Sequence, residues 1–285
     1  VAATGILGQL FNASDIAIVG NFAEGDTVAA VAAVGANGPV IGLLLNIFIG
    51  IALGANVVIA NAIGRGDSDT VSRAVHTSIV AAVLGGIIVG LLGQLVAEPV
   101  LSMLQVPEDV FPLALKYMRI YLLGLPVIFL YNFEAAIFRS AGDTKTPLVA
   151  LALSGVLNVI LNLFFVVVLN KTVDGVAIAT VLANVVSSVV LLRRLLRSEL
   201  FIHVEFKDLR IDWKILWRIL KIGVPAGIQG AVFSLSNIVV QSAINSLGKV
   251  TMAASSAAFN VEIMAYYILN SFGQACTTFV GQNYG

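Results

Sequence analysis

Eight stretches of this 285-residue chain stay apolar for about twenty residues or more, the length a helix needs to cross roughly 30 Å of hydrocarbon. They run approximately over 1–22, 29–62, 70–96, 112–139, 146–169, 175–197, 215–246 and 250–282. Strands of a membrane barrel would alternate over about ten residues, so runs this long and unbroken imply helices. The chain is 59% hydrophobic and 11% charged, with a mean hydropathy of +0.98. A soluble domain carries about 25% charged residues, so the expected fold class is an all-α polytopic membrane protein. A net charge of zero lacks the basic footprint of a nucleic-acid partner, and the single Cys276 excludes an intramolecular disulfide.

Lys and Arg placement orients the bundle, because short cytoplasmic loops are enriched in both. Twelve of the sixteen flank the loops after runs two, four and six: Arg65, Arg73, Arg139, Lys145, Arg193, Arg194, Arg197, Lys207, Arg210, Lys214, Arg218 and Lys221. The opposite side holds Lys116, Arg119, Lys171 and Lys249, with the acids Glu24 and Asp26. Those three loops are therefore read as cytoplasmic.

The longest polar connection, Ser198 to Asp212, divides the chain into a first lobe over 1–197, a connection over 198–214 and the start of a second lobe over 215–285. The segment Trp213 to Lys221 suits an interfacial helix at headgroup level. The alternation from Phe201 to Phe206 suggests a short strand, and both His203 and His76 are read as solvated loop residues. A shift of 221 residues lays Ala32-Ala33 on Ala253-Ala254 and Asn61 to Gly64 on Gln282 to Gly285. A six-helix period returns the chain to the same side, which implies parallel repeats about an axis along the membrane normal. The chain starts at Val1 inside an apolar run, without an initiator Met, and holds two helices of the second repeat. It is expected to be part of a longer protein with four more helices.

An acid inside an apolar run costs about 2.5 to 3.5 kcal/mol to insert, so it faces a bundle interior or wet cavity and has a function there. Asp15 is such an acid. Asn12 precedes it by one turn on the same helical face. Asn158 and Asn162 share a face of the fifth helix by the same spacing. Gly50/Gly54 and Gly86/Gly90 are GxxxG pairs that permit close helix approach. Pro39, Pro126 and Pro225 lie in or at the start of apolar runs, where each removes a backbone hydrogen bond and favours a kink.

In sequence order, several motifs resemble the MATE (multidrug and toxic compound extrusion) antiporters, on the NorM/DinF-like bacterial branch. They are Asn12 to Gly20, Ala29 to Gly35 with Pro39, Gly50 to Asn56, Gly64 to Asp67, Tyr117, Pro126, Arg139 to Pro147, Asn158, Asn162, Gly175 to Thr180 and Gly281 to Gly285. The resemblance implies two six-helix lobes, of which about eight helices are present here. It implies that Asp15 couples transport to an ion, exchanging a proton or binding sodium through oxygen ligands, and that Asn158, Asn162 and Thr180 surround it. Substrate contact is expected from Asp15, Asn12 and Glu262, with Phe11, Phe48, Met264 and Tyr267 lining an adaptable pocket. For Glu262, contact with cationic substrate and a structural partner both stay open.

This chain departs from the family at two places: Asn162 stands where some members carry a second acid, and Phe233 where NorM-type members carry one on helix seven. Glu134, five residues before Arg139, reads as a local ion pair or gate. The expected activity is antiport of sodium or protons against amphipathic, often cationic, organic compounds, by a monomer among membrane lipids. The location implied is the bacterial inner membrane, with no cofactor beyond the coupling ion. A flippase for lipid-linked precursors is the alternative, disfavoured because no Lys or Arg falls mid-helix. An intramembrane enzyme is disfavoured because Asp15 is the only mid-membrane Asp and both His are placed in loops.

Overall fold

The computed structural model describes residues 7, 14–22, 27–104, 106–198, 201–246 and 249–284, apart from the side chains of 238, 241–246, 249–261, 263, 264 and 267. Helix α1 is described over 14–22. Then follow α2 (Thr27–Gly64), α3 (Ser68–Met103), α4 (Phe111–Ser140), α5 (Lys145–Leu163) with a π-helical turn at Phe164–Val168, α6 (Val173–Leu196), α7 (Trp213–Ser246) and α8 (Lys249–Tyr284). These bounds match the apolar runs to within a few residues, except that α3 continues to Met103. Six of the described helices are long and apolar enough to cross a membrane.

Two turns between helices share one design. In Gly66-Asp67-Ser-Asp-Thr70 and Gly142-Asp143-Thr-Lys-Thr146 the glycine takes a positive φ, +69° and +82°, that a side chain would strain. The aspartate then accepts from the N–H three residues on, Thr70 at 3.0 Å and Thr146 at 2.9 Å. Each satisfies an orphan donor at the start of a helix. The hydroxyl and N–H of Thr70 hold the Asp67 carboxyl below its ordinary value.

Helix α4 is the hub of the first lobe, packed against α2, α3 and α6. Two-thirds of its apolar window is buried, against about a fifth for α3, whose Ile88, Leu91 and Leu95 face outward. Both GxxxG pairs mark close backbone crossings. A Cβ on Gly50 would lie 2.2 Å from the Gly227 nitrogen, and one on Gly54 2.3 Å from the Ile219 carbonyl oxygen, so α2 and α7 touch through glycines. Likewise a Cβ on Gly86 would lie 2.3 Å from the Cα of Pro126, and Gly90 rests on the Leu122 carbonyl.

Ala60 and Gly281, which the 221-residue shift pairs, meet where α2 crosses α8, and a Cβ on Gly64 would lie 1.9 Å from the Gln282 carbonyl oxygen. Contact between equivalent positions is what an axis passing through the crossing produces. Gln282 Nε2 also donates to the Ser140 carbonyl at 2.6 Å, and Thr278 Oγ1 to Asn56 Oδ1 at 3.3 Å. The crossing is thus tied to the end of α4.

The connection between α6 and α7 corrects three expectations. Residues 201–205 form no strand, and the only regular structure there is a 3-10 turn at Phe206–Asp208. The alternation instead buries Ile202 and Val204 against the helices while Phe201 and Phe206 stay out. His76 lies in α3, 3% exposed, with Nδ1 donating to the Ser72 carbonyl at 2.7 Å and Nε2 accepting from the Glu205 N–H at 3.0 Å. That pair of bonds fixes its tautomer. Trp213 to Lys221 form no separate interfacial helix but the first turns of α7, whose Trp213 and Trp217 are exposed while Ile215 and Ile219 are buried.

Asp212 ends the connection and secures it. Its N–H donates to Thr77 Oγ1 at 3.0 Å, one carboxylate oxygen caps α7 through the N–H groups of Lys214 and Ile215, and the other meets Arg73 at 3.0 Å. Those backbone bonds, with Arg73 beside them, hold the Asp212 carboxyl below its ordinary value. The linker between the lobes is therefore docked on α3.

Candidate functional site: a buried carboxylate between α1, α5 and α6

Helix α5 presents a polar stripe to the interior and an apolar one outward. Ser154, Asn158 and Asn162 recur every four residues and are at most 1% exposed, whereas Leu153, Val156 and Ile160 face away. This inversion suits a bundle whose solvent is hydrocarbon, since polar groups there must find partners inside.

Asp15, 4% exposed, meets that stripe. Its Oδ1 accepts from Asn162 Nδ2 at 2.5 Å and its Oδ2 from Thr180 Oγ1 at 3.0 Å. Asn162 Nδ2 also reaches Asn158 Oδ1 at 3.1 Å, and Asn158 Nδ2 lies 3.4 Å from Thr180 Oγ1. The structure thus brings Asp15, Asn158, Asn162 and Thr180 into one hydrogen-bonded cluster. No Lys or Arg pairs with Asp15 among the described residues, so neutral dipoles alone solvate it. Thr180 lies seven residues into α6, about 10 Å from its outer end by helical rise. The carboxylate therefore sits in the outer half of the bundle, not at its middle.

One atom of the cluster has no use within it. Asn162 Oδ1 is buried and has no hydrogen-bond partner. An orphaned carbonyl oxygen beside a carboxylate, with a hydroxyl and a second amide oxygen near, forms an all-oxygen donor set that fits a hard cation such as sodium. Among the described residues no three His, Cys, Asp or Glu gather as a transition metal would require.

Sequence reasoning missed the surroundings of this cluster. Tyr117 and Tyr121, buried one turn apart on α4, lie within electrostatic reach of Asp15. The π-helical turn begins two residues after Asn162, and such turns often mark functional sites. The polar stripe also continues inward: Ser187 Oγ donates to Ser154 Oγ at 2.5 Å, and Ser188 Oγ to Glu134 Oε2 at 2.9 Å. Glu134 therefore pairs with Ser188 rather than Arg139, which has no ion pair among the described residues. The four-residue recurrence of Ser154, Asn158 and Asn162 was the available signal.

Other expected site residues lie elsewhere. Asn12 and Phe11, and the side chains of Met264 and Tyr267, fall outside the described residues. Glu262 is exposed on α8. Phe233 is 52% exposed and stacks on Tyr266 with centroids 5.8 Å apart. The ring of Phe48 stacks on Phe129 of α4, so it packs the helix interface instead of lining a pocket.

A polytopic helical membrane protein with a buried carboxylate solvated by amide and hydroxyl groups is the class that fold and site define. The MatE family profile matches residues 1–164 and 225–285, and the chain belongs to that family. Among curated relatives, it is 31% identical over 267 residues to "Probable multidrug resistance protein YoeA" of Bacillus subtilis, covering 90% of this chain and 57% of that protein. It is 26% identical to "Probable multidrug resistance protein NorM" of Thermotoga maritima, covering 98% and 60%. An "FAD transporter" of Shewanella oneidensis is 23% identical, covering 90% and 58%. The chain thus spans a little over half the length of these relatives. Its fold matches a crystal structure of MATE in the bent conformation with a TM-score of 0.90 at 24% identity, over 99% of this chain and 63% of that one.

Proposed function

We propose that the chain forms the ion-coupling lobe, and the beginning of the second lobe, of an antiporter that exports amphipathic, often cationic, organic compounds. The observation that carries this reading is Asp15: buried, without a cationic partner, and held by two donors beside an acceptor with no partner.

The hydrogen bonds set the exchange chemistry. Asn162 and Thr180 each direct a donor at a carboxylate oxygen. For Asp15 to accept a proton, the Thr180 hydroxyl can turn away from Oδ2 towards another acceptor. For sodium, Asp15, Asn158 Oδ1, Asn162 Oδ1 and Thr180 Oγ1 are the oxygens that would hold it. Either cation neutralises a charge that is costly at membrane depth, so its arrival and departure shift the balance between lobe arrangements by their difference in affinity. The names of the relatives, multidrug resistance proteins beside an FAD transporter, support export of organic molecules while differing in cargo.

The test is efflux of a cationic dye by the full-length protein in sealed vesicles, with sodium and pH gradients imposed separately. One gradient is expected to drive efflux, and Asp15→Asn to abolish that dependence without reducing the amount of folded protein. Gradient-driven efflux surviving in Asp15→Asn would overturn the assignment.

A further inference from the structure

At the cytoplasmic ends of α2, α7 and α8 a cavity of about 510 Å³ opens between the two repeats. Arg65, just past the end of α2, and Arg218 and Lys221 of α7 line it, together with apolar walls that include Val58, Ile222 and Val280. Among the described residues no Asp or Glu lines it. None of the three cations has a salt bridge or side-chain hydrogen bond among the described residues, unlike Arg73, Arg119 and Lys116. Three positive side chains on one cavity wall give it a potential that favours an anion.

We propose that this cavity binds the phosphate headgroup of an anionic membrane lipid, with the phosphate between Arg65, Arg218 and Lys221 and the proximal acyl chain along the apolar wall. Guanidinium groups offer paired donors that match phosphate oxygens, and an ammonium adds a point charge. Basic pockets between transmembrane helices at the cytoplasmic side are where such headgroups are held. The level fits as well. Exposed Trp213 and Trp217 on the same turns of α7 mark the headgroup region, where their amphipathic rings settle. The apolar walls favour a lipid over free phosphate, which would gain nothing from them. Arg65 belongs to the first repeat while Arg218 and Lys221 belong to the second, so one lipid phosphate would tie the repeats together.

Trp213 and Trp217 are the two tryptophans of the sequence, and Trp217 stands one turn before Lys221, so their fluorescence reports on the site. The experiment places the full-length protein, with any tryptophan outside these 285 residues changed to phenylalanine, in nanodiscs containing dibrominated phosphatidylglycerol or dibrominated phosphatidylcholine at equal mole fraction and measures quenching. Phosphatidylglycerol is expected to quench more strongly. Each of Arg65→Gln, Arg218→Gln and Lys221→Gln should weaken that preference about fivefold, the factor for one cation near a membrane surface. The double variant Arg65→Lys with Arg218→Lys should retain it. So should the triple variant Arg193→Gln, Arg194→Gln and Arg197→Gln, whose cations line a separate cavity. Equal quenching by the two lipids, or a preference that survives all three pocket substitutions, overturns the proposal. Loss of the preference on adding glycerol phosphate assigns the cavity to a soluble phosphate and overturns the lipid.

Discussion

Asp15 on α1 and Glu262 on α8 meet opposite surroundings. Asp15 is 4% exposed and bonded to Asn162 and Thr180, while Glu262 is exposed and has no hydrogen bond or ion pair among the described residues. Phe233 stacks on Tyr266. The difference teaches that a membrane acid is not a site by itself. It becomes one when later helices bring neutral dipoles to it, here α5 and α6 from 147 and 165 residues along the chain.

Four substitutions or conditions would break or sharpen that contrast. The largest effect is expected from Asn162→Ala, which removes a donor to a charged group worth about 1.5 to 3 kcal/mol, or roughly ten- to a hundredfold in cation affinity. Titrating the cation dependence of efflux reads it; an unchanged midpoint would make the cluster ornamental. Thr180→Val should cost about tenfold on the same scale while Thr180→Ser stays close to wild type, because only the hydroxyl matters. Glu262→Gln should shift the cation midpoint by less than about twofold, as expected of an exposed charge. A larger shift would show a second coupling acid and erase the contrast.

The smallest effect concerns Asp212, far from either acid. Its carboxyl is held below its ordinary value in the folded chain, so its contribution is present above the usual aspartate range and is lost as pH falls through the depressed folded value. Melting followed by circular dichroism should therefore show Asp212→Asn differing from wild type at neutral pH, with the gap closing in strong acid. A gap that is constant with pH would show that the Asp212 charge is irrelevant to the cap.

Most of the fold was legible because hydrophobic length is a local property. Each run from 29 onward gave a helix within a few residues, apart from the longer C-terminal end of α3. The polar cluster was legible in part, since Asn158 and Asn162 share a face by spacing, but their junction with Asp15 came from resemblance. What stayed hidden depended on partners distant in sequence. His76 looked like a loop residue because its partner, the Glu205 N–H, lies 129 positions away. Glu134 looked like a mate for nearby Arg139 because the distance from α6 cannot be read from the sequence. The alternation from Phe201 to Phe206 was real but met helices rather than a strand.

The meeting of Ala60 with Gly281 has a mechanical consequence. Helices of 38 and 36 residues, about 55 Å long, cross near their cytoplasmic ends like the arms of tongs. For arms of that length each degree of rotation at the pivot moves the far tips by about 1 Å, so a small change of crossing angle is amplified there while the crossing itself scarcely moves. Side chains at such a fulcrum need to be small, and alanine and glycine are what the two repeats place there.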